Sequence, residues 1–234
     1  MTTRDTVSNH LLELRSRLLK VIVFFGALSL IGIPFAADIY SFVANPLIDI
    51  LPSGSSMIAT EVASPFMAPI KLVIYIALLL SMPWLFYQMW MFISPGLYQG
   101  EKSFTRPLMF STIVLFFSGA SFAFFVVCPI IFKFFIGMAP DSIQVMTDIN
   151  QYLGFIFKLI FAFGIAFEIP IATILLVKSG ITSKASLVKA RPYLLVLFLI
   201  IGMLLTPPDI FSQLFLAIPM WILFELGIFF IREK

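Results

Sequence analysis

Three carboxylates stand where a chain this apolar has least room for them. Glu13 and Glu101 lie in otherwise basic segments between long apolar runs, and Glu168 lies inside one, in Phe163-Gly164-Ile165-Ala166-Phe167-Glu168-Ile169-Pro170. At a membrane surface a carboxylate beside aromatic side chains can receive a guanidinium, because arginine makes bidentate, charge-assisted bonds to carboxylates. Glu101 has such surroundings in Phe92, Leu97 and Tyr98, with Pro95-Gly96 turning the chain between them. A loop that only terminates two helices would have a similar composition. Within hydrocarbon an ionisable group costs a few kcal/mol, so it marks a functional site by default. Glu168 therefore reads as facing a wet cavity and touching a partner or substrate; the plainer alternative is a protonated carboxyl bonded to the carbonyl that Pro170 leaves without a donor.

Other polar residues are weighed in the same way. Lys158 shares the run of Glu168, but at about 100° and 1.5 Å per residue it sits about 80° around the helix and about 15 Å away, so the two cannot pair. It is expected to snorkel toward the outer interface, as Lys71 and Lys133 can at their helix ends. Glu225 is expected to reach the cytoplasmic headgroups. Thr206 and Gln213 flank the short segment Pro207-Pro208-Asp209-Ile210 and suit either a docking face for another membrane helix or a pair that only touches water. At the N-terminus, Leu11, Leu14 and Leu18 recur at helical spacing, with Glu13 and Arg17 four apart on another face. That is an amphipathic helix entering the first apolar run.

The elements that must position these groups are membrane spans. The chain is 61% hydrophobic and 12% charged, against roughly a quarter charged in a soluble domain. Runs of about 20 apolar residues predict six transmembrane helices near 18–37, 69–91, 107–136, 151–177, 192–206 and 211–231, in one integral membrane domain over residues 1–234. The fold class is all-α. Pro83, Pro129, Pro170 and Pro219 fall inside spans and should kink them, giving a concave bundle. Fourteen residues separate Pro192 from Pro207, about 21 Å against a hydrocarbon core of about 30 Å, so the fifth helix is expected to be too short and the lipid beside it thin.

Charge gives the orientation. Arg4, Arg15, Arg17 and Lys20, then Lys102 and Arg106, then Lys178, Lys184, Lys189 and Arg191, then Arg232 and Lys234 occupy alternate gaps, while the opposite gaps hold Asp38, Asp49, Glu61, Asp141, Asp148 and Asp209. By the positive-inside rule both termini are cytoplasmic. The basic residues are spread over four segments and make no nucleic-acid footprint. Cys128, the one cysteine, excludes an intrachain disulfide, and no cleavable leader is evident, so the first helix is expected to stay as an anchor. Neither a metal nor a cofactor is indicated.

At five places the chain resembles the TatC family of the twin-arginine protein translocase: His10-Leu11-Leu12-Glu13-Leu14-Arg15-Ser16-Arg17, the stretch from Met57 to Phe66, the loop from Phe92 to Lys102, Phe167-Glu168-Ile169-Pro170, and the stretch from Gly202 to Asp209. The resemblance implies a receptor without catalytic chemistry, which binds the twin-arginine signal peptides of folded proteins and exports them with TatA-type and TatB-type single-span partners, using the proton-motive force. It implies a multi-pass protein of the bacterial cytoplasmic (inner) membrane that self-associates in a larger complex. Glu13 and Glu101 match the family's signal-binding acids, and Arg15, Arg17, Phe92, Pro95 and Leu97 their supporting residues. Pro46 and Asp209 match its outer-loop positions, Glu168 its intramembrane carboxylate, and Met203, Leu204, Thr206 and Gln213 the place where partner helices dock. Ser103 departs from the pattern, since a basic residue often follows Glu101-Lys102. The competing class is a small proton- or ion-coupled secondary transporter built on Glu168, against which stand the absence of similar halves and of a charge partner on the same helical face. A third possibility is a scaffold for other membrane proteins.

Overall fold

In the computed structural model, residues 3–48, 57–93, 102–138, 146–206 and 209–231 are described. Their order is α1 (Thr3–Gly32), a 3-10 turn at Ile33–Phe35, α2 (Ala36–Ile48), β1 (Met57–Ile58), α3 (Ser64–Ile93), α4 (Lys102–Phe122), a π-helical turn at Ala123–Val127, α5 (Cys128–Gly137), β2 (Thr147–Asp148), α6 (Ile149–Ala166), α7 (Ile169–Lys178), α8 (Lys184–Leu205) and α9 (Ile210–Phe230). Among the described residues six stretches are long and apolar enough to cross a membrane: Leu11–Asn45, Ser64–Phe92, Pro107–Gly137, Ile149–Lys178, Lys184–Leu205 and Ile210–Phe230. The chain is a multi-pass membrane protein.

The prolines act unequally. Pro83 lies inside α3 and Pro219 inside α9, and both helices continue through. Pro129 follows the π turn, where the Cys128 N–H reaches Ala123 O five residues back, a widening that absorbs the donor a proline cannot supply. Pro170 sits in the first turn of α7, where a missing N–H is harmless, and the helix breaks before it at Phe167 and Glu168. The expectation that Pro192 opens the fifth helix is corrected. That helix starts at Lys184, capped by the Ser183 hydroxyl accepting from the Ser186 N–H at 3.1 Å, and runs 22 residues through Pro192, about 33 Å at 1.5 Å per residue. Its first two turns carry Lys184, Lys189 and Arg191, so only its wholly apolar part, from 192 onward, keeps the short length of about 21 Å.

The helices group into two compact units, Met1–Val43 with Pro65–Ile113, and Ala44–Ser64 with Val114–Lys234. In the first, Ala68, Leu72, Val73 and Ala77 of α3 are buried, and Gly32 closes α1 against Val73 so tightly that a Cβ there would lie 2.7 Å from a Val73 methyl. Phe24 and Trp84 tie the helices further along, ring centroids 5.7 Å apart.

The second unit is built on α6, whose buried Leu153, Ile156, Phe157, Ile160, Phe163 and Gly164 recur at the helical period. Gly164 admits the Phe116 ring and Gly119 admits Phe167, the close approach that small residues allow where lipid gives no hydrophobic drive between helices. Helix α9 packs against α7 and α8, with Gly227 set against Thr173 and Pro170. At the start of α6 a two-residue parallel ladder pairs Met57 with Thr147 and Ile58 with Asp148, the one strand pairing among the described residues.

Candidate functional site

The N-terminal helix places its polar pair and its leucines on opposite sides, and the usual burial is inverted. Leu11, Leu14 and Leu18 are exposed, as lipid-facing side chains should be. Glu13 and Arg17 are less exposed, with side chains 35% and 19% accessible. One helical turn separates them, and Arg17 donates from Nη2 at 2.7 Å and Nε at 3.0 Å to Oε1 of Glu13. The third guanidinium nitrogen, Nη1, donates at 3.1 Å to Oε1 of Gln88 on α3. Gln88 is buried, so its amide fixes one edge of the guanidinium while Glu13 accepts the other. The result is a carboxylate held in place by an arginine, yet still a third open.

Gln88 was not among the residues the sequence singled out, although a lone amide in the apolar run from Met82 to Phe92 is the signal that marks it. Arg15 is exposed on α1 and Phe92 is half-buried near the end of α3. Pro95, Leu97 and Glu101 lie outside the described residues. So does the geometry between Glu101 and Glu13. Pro46 lies in α2, its side chain likewise outside.

Within the second unit, Glu168 caps the break between α6 and α7. Its N–H donates to Ile165 O at 3.0 Å and its carbonyl accepts from the Ala172 N–H at 2.9 Å. The side chain is half-buried, and Lys158 is exposed on the same span. Asp209 is the N-cap of α9, where its Oδ1 accepts from the Ser212 N–H at 2.7 Å.

The four residues expected at a docking face divide into two pairs. Met203 and Leu204 are outward, 51% and 72% exposed. Thr206 is buried, and its hydroxyl donates to Gly202 O at 2.9 Å. Gln213 reaches from α9 to Leu199 O on α8 at 2.8 Å. Thr206 thus closes the last turn of its own helix while Gln213 ties α9 to α8, and the surface beside them is apolar. Glu225 also departs from expectation. It accepts from Arg191 Nη2 at 2.6 Å, with side-chain exposures of 31% and 41%, a partner its sequence position did not announce.

Two segments 88 residues apart meet at Asp148. Its Oδ2 accepts from the Thr60 N–H at 3.1 Å and hydroxyl at 2.7 Å, while Oδ1 caps α6 through the N–H groups of Asn150 and Gln151 at 2.9 and 3.0 Å. The Thr60 hydroxyl first, then the Gln151 amide, hold this carboxyl below its ordinary value. Asn150 in turn donates to the Ser64 hydroxyl at the start of α3. An aspartate just before an apolar run is the legible signal of such a cap. Among the described residues no cluster of His, Cys, Asp and Glu could hold a metal ion.

Comparison with known proteins extends these observations. A family model described as Sec-independent protein translocase protein (TatC) matches residues 9–219. A protein of Azotobacter chroococcum mcd 1 described as Sec-independent protein translocase protein TatC is 54% identical over 225 residues, covering 94% of this chain and 87% of that one. The protein of the same description in Escherichia coli K12 is 51% identical over 234 residues, covering 99% and 91%. That of Aquifex aeolicus VF5 is 34% identical over 225 residues, covering 95% and 93%. Among solved structures, the crystal structure of a twin arginine translocase receptor, TatC, superposes with a TM-score of 0.85 at 35% identity, over 94% of this chain and 96% of that one.

Proposed function

The chain belongs to the TatC family of Sec-independent protein translocases, and from that premise we propose that it is the receptor core of a twin-arginine translocase. It recognises signal peptides by their paired arginines and catalyses no reaction of its own. Glu13 and Glu101 grip the guanidinium groups, with Arg15, Arg17, Phe92, Pro95 and Leu97 shaping the site. Glu168 supplies an intramembrane polar contact, and Pro46 and Asp209 shape the outer loops. Single-span TatA-type and TatB-type subunits dock at Met203 and Leu204, near Thr206 and Gln213. The chain sits in the bacterial inner membrane with both termini in the cytoplasm, as one integral domain, and export draws on the proton-motive force. Beside α8, whose apolar part is about 21 Å long, the bilayer thins.

The observation that supports this reading best is the arrangement around Glu13. A guanidinium already sits on its carboxylate in a geometry an incoming arginine could adopt. A part-buried pair of this kind, with Glu13 still a third open, is worth about 1 kcal/mol, so a peptide guanidinium can share Glu13 with Arg17 at modest cost. Gln88 keeps hold of Arg17 when that happens. The relatives' names favour this reading over an ion-coupled transporter built on Glu168.

Site-specific photocrosslinking tests it. A crosslinker at position 101 is expected to capture a twin-arginine peptide, and one at position 203 a single-span partner helix. Capture of neither, in a membrane where an unrelated inserted protein is processed normally, refutes the receptor reading.

A further inference from the structure

At the end of the α8–α9 pair that carries Lys184 and Ile231 lies an open, shallow hollow of about 650 Å³. Its polar end is made by Lys184, Arg191 and Glu225, and its wall by Trp221, Leu226 and Phe229. Leu226 and Phe229 are 42% and 77% exposed on a span apolar enough to lie in a membrane, so the wall faces hydrocarbon. A hollow there does not stay empty, because its lining would lose its dispersion partners. Lipid is what surrounds it.

The polar end selects among lipids. Arg191 and Glu225 neutralise each other through the 2.6 Å bond between Nη2 and Oε2. Lys184 spends one donor on the Ile231 carbonyl at 3.1 Å, and an ammonium carries three. Among the described residues the lining therefore keeps one positive charge with donors to spare, at the helix termini where headgroups lie. A zwitterionic lipid would bring its own cation toward Lys184 and Arg191, whereas an anionic one brings only a phosphodiester acceptor. We propose that this hollow is a binding site for an anionic phospholipid, its phosphate on Lys184 and the open edge of Arg191 and an acyl chain along Trp221, Leu226 and Phe229. Basic pockets between membrane helices commonly hold anionic headgroups. Its lining shares no residue with the proposed signal-peptide grip, and it does not depend on which membrane face the helix ends meet.

The test is native mass spectrometry of the purified full chain in detergent, supplied with equal phosphatidylglycerol and phosphatidylcholine of matched acyl chains. Wild type is expected to retain phosphatidylglycerol in preference. K184Q should lower that retention about fivefold, from a contribution near one charge at a membrane surface, and K184R should preserve it. K189Q removes a charge from an exposed lysine of the same helix outside the hollow and should leave retention unchanged. Equal retention of the two lipids by wild type, or a loss in K189Q as large as in K184Q, would overturn the site in favour of diffuse attraction.

Discussion

Replacing Glu13 by glutamine keeps the size and most of the hydrogen bonding of the side chain while removing the charge that an arginine recognises. Bonds to charged groups are worth about 1.5–3 kcal/mol where both partners are enclosed. Glu13 is 35% exposed and shares one oxygen with two nitrogens of Arg17, so the pair is part-buried and falls between that range and the exposed-pair one, at about 1 kcal/mol. E13Q is therefore expected to weaken binding of a twin-arginine peptide about fivefold. If Glu101 grips the second arginine independently, the two effects add to about thirtyfold in E13Q/E101Q. The assay is the Kd of a fluorescent signal peptide for the purified chain in detergent, at low and at high salt, with a control peptide in which glutamines replace the arginine pair. The gap between wild type and variant should shrink at high salt, since the pair is screened. Binding by the double variant within twofold of wild type, or an equal loss for the control peptide, refutes the carboxylate grip.

Four further substitutions probe what holds the scaffold. A Cβ at Gly164 would lie 2.6 Å from the Phe116 ring, whereas one at Gly137 meets open space; G164V should cost about 1–3 kcal/mol by overpacking and lower the unfolding temperature in detergent, with G137A close to neutral. Because hydrogen bonds lower the folded carboxyl of Asp148 below its ordinary 3.8, its stabilisation is complete above that value and is lost as pH falls through the lowered one. The advantage of wild type over D148N in a thermal melt should therefore shrink as the pH is taken well below 3.8, and an advantage independent of pH would contradict the assignment. Q213L removes the tie to Leu199 O and should cost about 0.6 kcal/mol, the usual worth of such bonds between membrane helices, read as a small drop in the same melt.

Much of the architecture was legible because membrane spans announce themselves by length. Six apolar runs predicted six helices, and the Glu168-Ile169-Pro170 stretch marked where the fourth would break. Pro192 misled, since a proline near the charged end of a span removes one bond but leaves the helix free to continue to its cap at Ser183. The Glu13–Arg17 pair could be read from its spacing of four. Gln88 could not be tied to it, because that contact joins residues 71 apart, and the same holds for Arg191 and Glu225, which are 34 apart. The leucine stripe on α1 was read correctly as a stripe, but it is exposed, and the polar face turned to α3 for its partner.

A common pattern runs through several hydroxyls of the spans: each donates to a carbonyl of its own helix, three or four residues back. Ser118 bonds Val114 O, Thr173 bonds Pro170 O and Thr206 bonds Gly202 O, all within one turn. Gln213 is longer and crosses to the adjacent helix. Each such bond removes a polar group from the surface that lipid or a partner would meet. Around Met203 and Leu204 the result is an apolar face, and apolar contact alone gives two helices little reason to leave lipid for each other. A partner helix docking there must gain from close packing or from a hydrogen bond it takes over. The bond from Gln213 to Leu199 is the one at hand for exchange, because it joins two helices and its loss leaves neither helix short of its own backbone bonds. Thr206, bonded within its own turn and buried, is far costlier to recruit.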